Sequence, residues 1–435
     1  MTSNQITPQL ITKLRKSVDN PKTRLATRAA TTNGIDKASE NNALSRDLPA
    51  EFSLEIETSS VTNQKKSGRC WLFATLNQIR HQIEKDLKIE RVELSETYNY
   101  FFDKLEKANR FCELVIRFAK DPIDSRENCD IFDDLQHEGG FRSHAANLIK
   151  KYGVVPIEIM PESKNTEDSW RLNSVINRRL RRGGVELREA CAKKLSPAKL
   201  HEIKNEILHD IYKILVVSLG QPPTNFTWQY RDKDKKFHRH ANLTPQTFRE
   251  KFVADEMLDY VEICNSPAVE FGKLYGWRDN DNIAGQHSYF ANVEIDVIEK
   301  LILKQLKVGT GVPFYAMACR DMPESGYMSP DAYDFANLFD VSFVASKADR
   351  IRSYENLPNH AMVITGVNIV DAAATAYKVE NSWGEEKGRK GFYTMSRDWA
   401  RENLWGVVIR RDLLPVSIAK IFDQEPIILE PWQQM

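Results

Sequence analysis

The hydrophobic pattern of the chain changes character at Cys70. From that residue onward, apolar side chains recur at the three- and four-residue spacing of one helix face: Leu72, Leu76, Ile79, Ile83 and Leu87. This spacing predicts an amphipathic helix that begins at the cysteine. Gly68 precedes the helix, and we expect Ser67 to help cap it.

The rest of the chain is helical first and β-rich last. Helical patterns are predicted at 94–119 and 138–156, and a charged, mostly helical stretch follows from about 160 to 270. After about residue 310, short β-rich runs are separated by glycine and asparagine. This order predicts an α+β fold with two lobes.

Composition narrows the function classes. The 435 residues carry 61 basic and 61 acidic side chains, so no global field favours nucleic acid or an anionic membrane. The sequence shows neither a signal-peptide core nor an apolar run of about 18 residues, which predicts no membrane partner. The six cysteines form no CxxC pair, which is typical of reduced thiols and predicts a cytoplasmic protein.

One set of residues has the local context that thiol chemistry requires. A thiolate is stabilised at the mouth of a helix, where Cys70 is predicted to lie. His360 begins a strand of buried character, and Asn381 ends another, so an amide oxygen can orient the imidazole. Trp383 can shield that hydrogen bond from water. Gln64, six residues before Cys70, can contribute an oxyanion hole together with the Cys70 backbone N–H.

Each of these residues has a more ordinary interpretation. A cysteine before an apolar run is usually a core residue, and a histidine at the start of a strand is usually structural. The joint occurrence of the four features favours the catalytic interpretation. We interpret the remaining cysteines as core or incidental thiols: Cys112, Cys129, Cys191, Cys264 and Cys319. No HExxH or P-loop motif is present, so we predict no metal and no cofactor.

Three segments resemble one known superfamily. "NQKKSGRCWLFA" resembles the cysteine segment of the papain-like cysteine peptidases, and "NHAMVITGV" and "VENSWGEEKGRKGFYTMS" resemble their histidine and asparagine segments. Within the superfamily, the sequence is most similar to the branch of bleomycin hydrolases and aminopeptidase C. The resemblance extends from about Phe52 to Trp432.

The resemblance assigns roles to the site residues. It implies that Cys70 is the nucleophile, His360 the general base and acid, Asn381 the orienting residue and Gln64 the oxyanion donor. Two tryptophans are implied to support the site: Trp71 and Trp383. The implied function is a cytosolic aminopeptidase acting on peptides, with amide drugs such as bleomycin as further candidate substrates.

The resemblance also implies an organisation for the whole chain. Residues 1–60 would form an N-terminal arm, and residues 61–160 a helical lobe carrying the cysteine. Residues 161–300 would form a helical insertion for oligomerisation, because the branch assembles as hexamers with sites facing an inner cavity. Residues 301–425 would be the β-rich lobe, and 426–435 a C-terminal arm that brings Met435 to the active site and gates the substrate.

The sequence departs from the branch at three places. Phe141 and Arg142 replace the usual residues of a segment that faces substrate in relatives, so the subsite preference is open. A basic run lies in the insertion, and its ordinary interpretation is a solvated helix face: Arg178, Arg179, Arg181 and Arg182. The chain ends about four residues short of its relatives. The shorter end either reroutes so that the carboxylate of Met435 still arrives, or leaves a cleft open to endopeptidase activity.

The sequence leaves two other functions as alternatives. The basic run makes a nucleic-acid-binding hexameric assembly an alternative, although the zero net charge weakens it. A thiol acyltransferase would use the same nucleophile, but the sequence contains nothing that favours it.

Overall fold

The computed structural model describes residues 4–133, 135–281, 285–318 and 322–435. The α-helices are α1 Pro8–Val18, α2 Pro21–Asn33, α3 Ile35–Ser39, α4 Leu44–Asp47, α5 Cys70–Leu87, α6 Glu96–Arg117, α7 Arg126–Asp133, α8 Arg142–Tyr152, α9 Lys164–Glu167, α10 Trp170–Ala192, α11 Pro197–Leu219, α12 Pro245–Phe252, α13 Ile295–Lys307, α14 Phe335–Phe339, α15 Lys347–Arg352, α16 Arg397–Asn403 and α17 Val416–Ala419.

The strands are β1 Leu54–Glu55, β2 Phe226–Arg231, β3 Phe237–Leu243, β4 Tyr260–Cys264, β5 Lys273–Trp277, β6 Phe290–Asn292, β7 Val312–Ala316, β8 Tyr327–Met328, β9 His360–Val370, β10 Ala373–Glu380, β11 Phe392–Ser396, β12 Leu404–Arg410 and β13 Ile427–Leu429. Short 3₁₀ turns lie at Asp255–Met257, Arg411–Leu413 and Lys420–Asp423. The α+β prediction is confirmed.

One mixed sheet of eleven strands organises the fold. Its order is β13-β5-β6-β4-β12-β7-β9-β10-β11-β8, with β1 paired to β9 at Gly366 and Val367, beyond the residues of β9 that pair with β7. The pairs β5–β13, β4–β6 and β8–β11 are parallel, and the remaining pairs are antiparallel. The strands β2 and β3 form a separate hairpin.

The sheet lies between two hydrophobic cores. Along β9, Ala361 and Val363 pack towards the helical side, whereas Met362 and Ile364 pack towards the opposite side. Because successive side chains of a strand point to opposite faces, burial on both sides explains why these strands are almost continuously apolar. The first core contains residues of α5, α6, α8, α10 and α11, and the second is covered by α13 and α16.

The interpretation of residues 161–300 as helical is wrong in its second half. Helices occupy this segment only up to Leu219, apart from α12 and the start of α13. The hairpin of β2 and β3 follows, and β4, β5 and β6 then join the main sheet. The β4 sequence, "YVEIC", is a short apolar run that periodicity alone does not distinguish from a buried helix.

The N-terminal arm contacts the rest of the chain mainly through its second half. Asn41 donates its backbone N–H to Ala332, and Asp334 donates to Ser39. The preceding helices α1 and α2 contain no buried residue among those described. Within the described part of the chain, no helix combines the length and apolar character needed to cross a lipid bilayer.

Candidate active site

Cys70 is the first residue of helix α5, as the sequence predicted. Its side chain is half-buried, and Arg69 is the N-cap residue. The expectation that Ser67 helps cap the helix is wrong. The Ser67 hydroxyl donates to the Gln64 carbonyl at 2.7 Å and accepts from Arg69 Nε at 2.9 Å. No side chain among the described residues caps α5, so the first turn keeps the N–H groups that favour an anion.

His360 and Asn381 are paired across two neighbouring strands. His360 begins β9, Asn381 directly follows β10, and the two strands are antiparallel neighbours. The ring nitrogen Nε2 of His360 lies 2.8 Å from Asn381 Oδ1. The Trp383 ring stacks on the imidazole with centroids 4.8 Å apart, so it covers this hydrogen bond. The residues predicted to orient and shield the histidine therefore meet as expected.

Burial sets the protonation of His360. Removal from water lowers the pKa of His360 to about 4, although the hydrogen bond to Asn381 opposes the shift. Two groups that contact the ring, the Asn381 amide and the Trp383 indole, carry no charge. A protonated His360 at neutral pH consequently requires an anion beside it, which a thiolate would supply.

The segment before Cys70 is hydrogen-bonded to the segment that carries Asn381. Gln64 donates its backbone N–H to the Ser382 carbonyl at 2.8 Å, and the Ser382 hydroxyl donates to Gln64 Oε1 at 2.6 Å. The Gln64 side-chain amide also donates to the Ser67 carbonyl at 2.6 Å. A primary amide has two N–H groups, so a second one remains to bind an oxyanion. In addition, α5 packs against β9, which His360 begins.

The turn before the helix contains a buried ion pair. Arg69 is fully buried and donates to both carboxylate oxygens of Glu162, at 2.9 and 2.6 Å. It also donates to the Thr166 carbonyl at 2.9 Å. Trp71, on the other side of Cys70, is buried and donates its indole N–H to the Glu138 carbonyl at 2.7 Å. Both neighbours of Cys70 are thus fixed by long-range contacts.

Only one of the two unusual residues after the Gly-Gly turn faces a cavity. Phe141 lines a cavity of about 300 Å³. Arg142 is 2% exposed, and its guanidinium donates to the carbonyls of Thr75 and Met257. Arg142 is thus directed into the core, where backbone carbonyls bind its charge.

Met435 lies in the wall of the same cavity. It is 1% exposed, and its carbonyl oxygen accepts from the Trp405 indole N–H at 2.8 Å. Pro358, two residues before His360, also lines this cavity. The chain end is tied down further back, where the carbonyl of Gln433 accepts from the Trp277 indole at 2.8 Å.

The other cysteines differ from Cys70 in their surroundings. Burial raises the pKa of the Cys112 and Cys264 thiols, which makes thiolates unfavourable there. Cys129 is exposed and Cys191 half-buried. The prediction for Cys319 lies outside the described residues.

Two of the four arginines in the basic run of α10 pair with neighbouring acids. Arg179 pairs with Asp210 at 2.8 Å and with Glu186 at 3.4 Å, and Arg182 pairs with Glu186 at 2.9 Å. Arg181 donates to the Phe132 carbonyl. These contacts agree with a solvated helix face held by ion pairs.

Comparison with known proteins decides the family. The sequence profile of the Peptidase C1-like family matches residues 5–435. The chain belongs to this family. It is 39% identical to Aminopeptidase C of Lactobacillus delbrueckii subsp. lactis, over 96% of this chain and 94% of that protein. It is 38% identical to Aminopeptidase G of the same organism, over 100% of both chains.

A solved structure shares the fold over the same length. The crystal structure of PepW from Lactobacillus rhamnosis HN001 superposes with a TM-score of 0.96 at 37% identity, over 99% of each chain. The resemblance to papain-like cysteine peptidases and the predicted papain-like fold are confirmed. The chain is a cysteine-type aminopeptidase.

Sequence reasoning missed several residues that hold the site. Ser382 lies inside the quoted "NSWG" segment but received no role, and Glu138 precedes the Gly-Gly turn. The signal available in the sequence was an acidic residue directly before the pair Gly139 and Gly140. The Arg69–Glu162 pair spans 93 residues, and no local pattern announces a contact at that separation.

Proposed function

We propose that this peptidase uses Cys70 as its nucleophile, His360 as general acid and base, and Asn381 as the residue that orients His360. The observation that carries the proposal is the His360–Asn381 pair beneath Trp383, in a segment hydrogen-bonded to the residues just before Cys70. Its tight, dry environment suits an imidazole that must keep one orientation.

The mechanism follows from these positions. The Cys70 thiolate attacks the scissile carbonyl, and the negative charge develops on the carbonyl oxygen. The second N–H of the Gln64 amide and the Cys70 backbone N–H stabilise that oxyanion. Protonated His360 then donates its proton to the leaving amine. The resulting acyl-enzyme is hydrolysed by a water molecule that His360 deprotonates, which restores the free thiol.

Substitution of the nucleophile tests this assignment. Cys70→Ala should abolish hydrolysis without changing the fold, and Cys70→Ser should retain less than about a tenth of the activity, because the site stabilises a thiolate and not an alkoxide. Cys129→Ala is the matched control and should hydrolyse peptides at the wild-type rate. Residual turnover by Cys70→Ala at a comparable rate would exclude Cys70 as the nucleophile.

The chain end supports a second level of the proposal, that Met435 selects substrates with a free amino group. Its oxygen is held by Trp405, and it shares a cavity wall with Phe141 and Pro358. A terminal carboxylate fixed there can form a charge-assisted hydrogen bond with an ammonium group, worth about 1.5–3 kcal/mol. The C-terminal arm would then gate the cleft. The alternative is an open cleft with endopeptidase activity.

Matched hexapeptides with free and acetylated N-termini distinguish these alternatives. Gating predicts that acetylation lowers kcat/KM by about 100-fold, equivalent to about 2.7 kcal/mol. Trp405→Phe keeps the aromatic packing but removes the indole N–H, so it should reduce that preference. Equal rates for the two wild-type reactions, within a few-fold, would show that the protein is an oligo-endopeptidase.

We propose that the protein forms a homohexamer in which the N-terminal arm contacts another subunit. Helices α1 and α2, with a residue that precedes them, place apolar side chains in solvent, with exposures from 38 to 74%: Ile6, Leu10, Ile11, Leu14, Val18 and Leu25. A surface of this kind is suited to burial against another subunit. We expect light scattering to give a mass near six subunits. A stable monomer at micromolar concentration would contradict this and the caged-site argument against folded substrates.

The proposed substrates are peptides, and the proposed location is the cytoplasm. Hydrolysis of bleomycin-like amides is proposed from the resemblance to the bleomycin hydrolases. Binding of nucleic acid is disfavoured by the ion pairs of Arg179 and Arg182. A thiol acyltransferase would require added amine for turnover, so hydrolysis of an aminoacyl-coumarin without amine discriminates against it.

A further inference from the structure

Glu138 contacts both sides of the nucleophile. Its carboxylate oxygen Oε2 accepts the backbone N–H of Gly68 at 2.8 Å, two residues before Cys70. Its carbonyl oxygen accepts the indole N–H of Trp71 at 2.7 Å, one residue after Cys70. A single residue from a distant loop thereby holds the chain on either side of the thiol.

The approach at Gly68 is close. A Cβ atom built on Gly68 would lie 2.5 Å from Glu138 Cβ, so a side chain at this position would displace Glu138. Gly140 behaves similarly against Trp71, where an added Cβ would lie 2.7 Å from two indole carbons. The backbone at Gly68 therefore packs against the Glu138 side chain, and the backbone at Gly140 packs against the Trp71 ring.

The carboxylate itself is held by further donors. Tyr100 donates its hydroxyl to Oε1 at 2.5 Å, and Ser169 donates to Oε2 at 2.8 Å. Burial alone would raise the pKa of Glu138, but the charge of Lys104 and the hydrogen bonds from Tyr100 and Gly68 lower this pKa to about 2. The group is therefore anionic throughout the neutral range.

The loop that carries Glu138 is anchored to α6. Lys107 donates to the carbonyls of His137 and Gly139 at 2.8 and 3.0 Å, and Lys104 donates to the carbonyl of Gln136 at 2.9 Å. Both lysine side chains are buried. Buried ammonium groups on a helix thus fix the loop, and the loop fixes the turn before Cys70.

We infer that Glu138 is a positioning residue for the reaction, which orients the Ser67–Trp71 backbone so that the Cys70 N–H faces the oxyanion. The inference rests on the proposed role of Cys70. An oxyanion hole depends on donors already in place before the charge develops, and small displacements weaken it. A residue that fixes the backbone on both sides of the donor should act on the transition state more than on substrate binding.

The test separates oxyanion stabilisation from thiol reactivity. Glu138→Ala should lower kcat by about 100-fold, which is within the range known for removing one oxyanion donor, with KM changed less than about 3-fold. Alkylation of Cys70 by iodoacetamide needs no oxyanion hole, so its rate should stay within about 3-fold of wild type. Labelling is followed in a Cys129→Ala background, because that thiol is exposed.

Conservative variants test whether geometry carries the effect. Glu138→Gln keeps an oxygen for the Gly68 N–H and should recover kcat to within about 5-fold of wild type. Glu138→Asp withdraws the carboxylate by one methylene and should lose at least 10-fold. If Glu138→Ala does not fold, these two variants decide the question. Equal kcat for Asp and wild type, or equal losses for Gln and Asp, would overturn the inference.

Glu84→Ala is the matched control. Glu84 also accepts a backbone N–H, from Val92 at 3.0 Å, and a hydroxyl, from Ser59 at 2.9 Å. It lies fourteen residues further along α5, about 21 Å from Cys70. This variant should lose stability but keep kcat within about 2-fold of wild type.

The outcomes distinguish this inference from the proposed function. Wild-type kcat for Glu138→Ala, with Cys70→Ala inactive, would remove only the positioning role. A parallel fall of kcat and alkylation in Glu138→Ala would also overturn it, because general collapse of the site would then explain the loss. Activity in Cys70→Ala would overturn the proposed function itself.

Discussion

The two halves of the active site are held in place by different kinds of interaction. On the cysteine side, loops are fixed by charged groups: the Arg69–Glu162 ion pair, the Glu138 carboxylate and the lysines of α6. On the histidine side, His360 contacts an amide and an indole, and its backbone belongs to a sheet. The strand ladder already fixes the backbone there. A charged group is also present, because Glu380, one residue before Asn381, pairs with Arg80 at 2.6 Å.

The difference follows from the secondary structure that each half uses. A sheet pairs its backbone donors and acceptors strand by strand, so His360 and Asn381 are placed by register. The turn before α5 has no such ladder, and its polar groups must find side-chain partners elsewhere. Charged hydrogen bonds give this irregular segment a defined position. Substitutions in the two halves should consequently fail in different ways.

The largest effect is expected on the histidine side, where loss of Asn381 should impair catalysis with little loss of fold. Asn381→Ala frees the imidazole to rotate, and we expect kcat/KM to fall by about 100-fold, while iodoacetamide still labels Cys70. Steady-state kinetics and labelling rates measure both effects. Asn368→Ala is the control, since Asn368 forms a side-chain hydrogen bond with Thr375 between the same two strands. An unchanged rate would remove Asn381 from the mechanism.

On the cysteine side, loss of Arg69 should impair stability first. Arg69→Met leaves Glu162 partly buried without its cation, and we expect a loss of about 2–3 kcal/mol in the free energy of unfolding. Denaturant titration measures it. Arg179→Met breaks a more exposed ion pair and should lose about 0–1 kcal/mol. Similar losses in both variants would show that burial of the Arg69 guanidinium adds nothing to the stability of the turn before α5.

The uncharged amide and indole that contact His360 lead to a prediction about its pKa. Burial favours the uncharged imidazole, so in Cys70→Ala its pKa should lie near 4, below the ordinary value of 6.5. Nuclear magnetic resonance titration of the imidazole measures this. In the wild type, the thiolate should keep the imidazolium protonated at neutral pH and give a bell-shaped rate profile. A pKa at or above 6.5 in Cys70→Ala would show that another charge stabilises His360.

The smallest expected effect comes from Glu96, which lies near another acid, Glu162, on the cysteine side. Burial, and then the nearby charge of Glu162, raise the pKa of Glu96 from 4.5 to about 8. Its folded-state pKa is raised, so its contribution to stability is present below pH 4.5 and is lost as pH rises towards 8. Glu96→Gln removes this loss and should raise Tm by about 2 °C at pH 8.5, with little change at pH 4.5. Thermal melts at the two pH values decide it.

Local patterns predicted much of the site. The stripe from Leu72 to Leu87 correctly placed Cys70 at a helix start, and the apolar runs after residue 359 correctly placed His360 at the start of a strand. The β-strands between Tyr260 and Asn292 were missed, because short apolar runs look alike in helices and in strands buried on both faces. The burial of Arg142 was missed for a related reason, since its carbonyl partners come from distant elements.

The sequence by itself determined which residues make up the candidate site: a thiol at a helix mouth, a histidine that begins a strand, an asparagine that follows one, and a glutamine six residues before the thiol. Helix periodicity and strand composition are local properties, so these residue types could be placed without knowing the fold. The tertiary structure decided how each group is held. The Glu138 carboxylate binds the backbone N–H of Gly68, 70 residues earlier in the chain, and the main-chain oxygen of Met435 binds the indole N–H of Trp405. Such contacts arise from the packing of whole elements, which no short stretch of sequence contains.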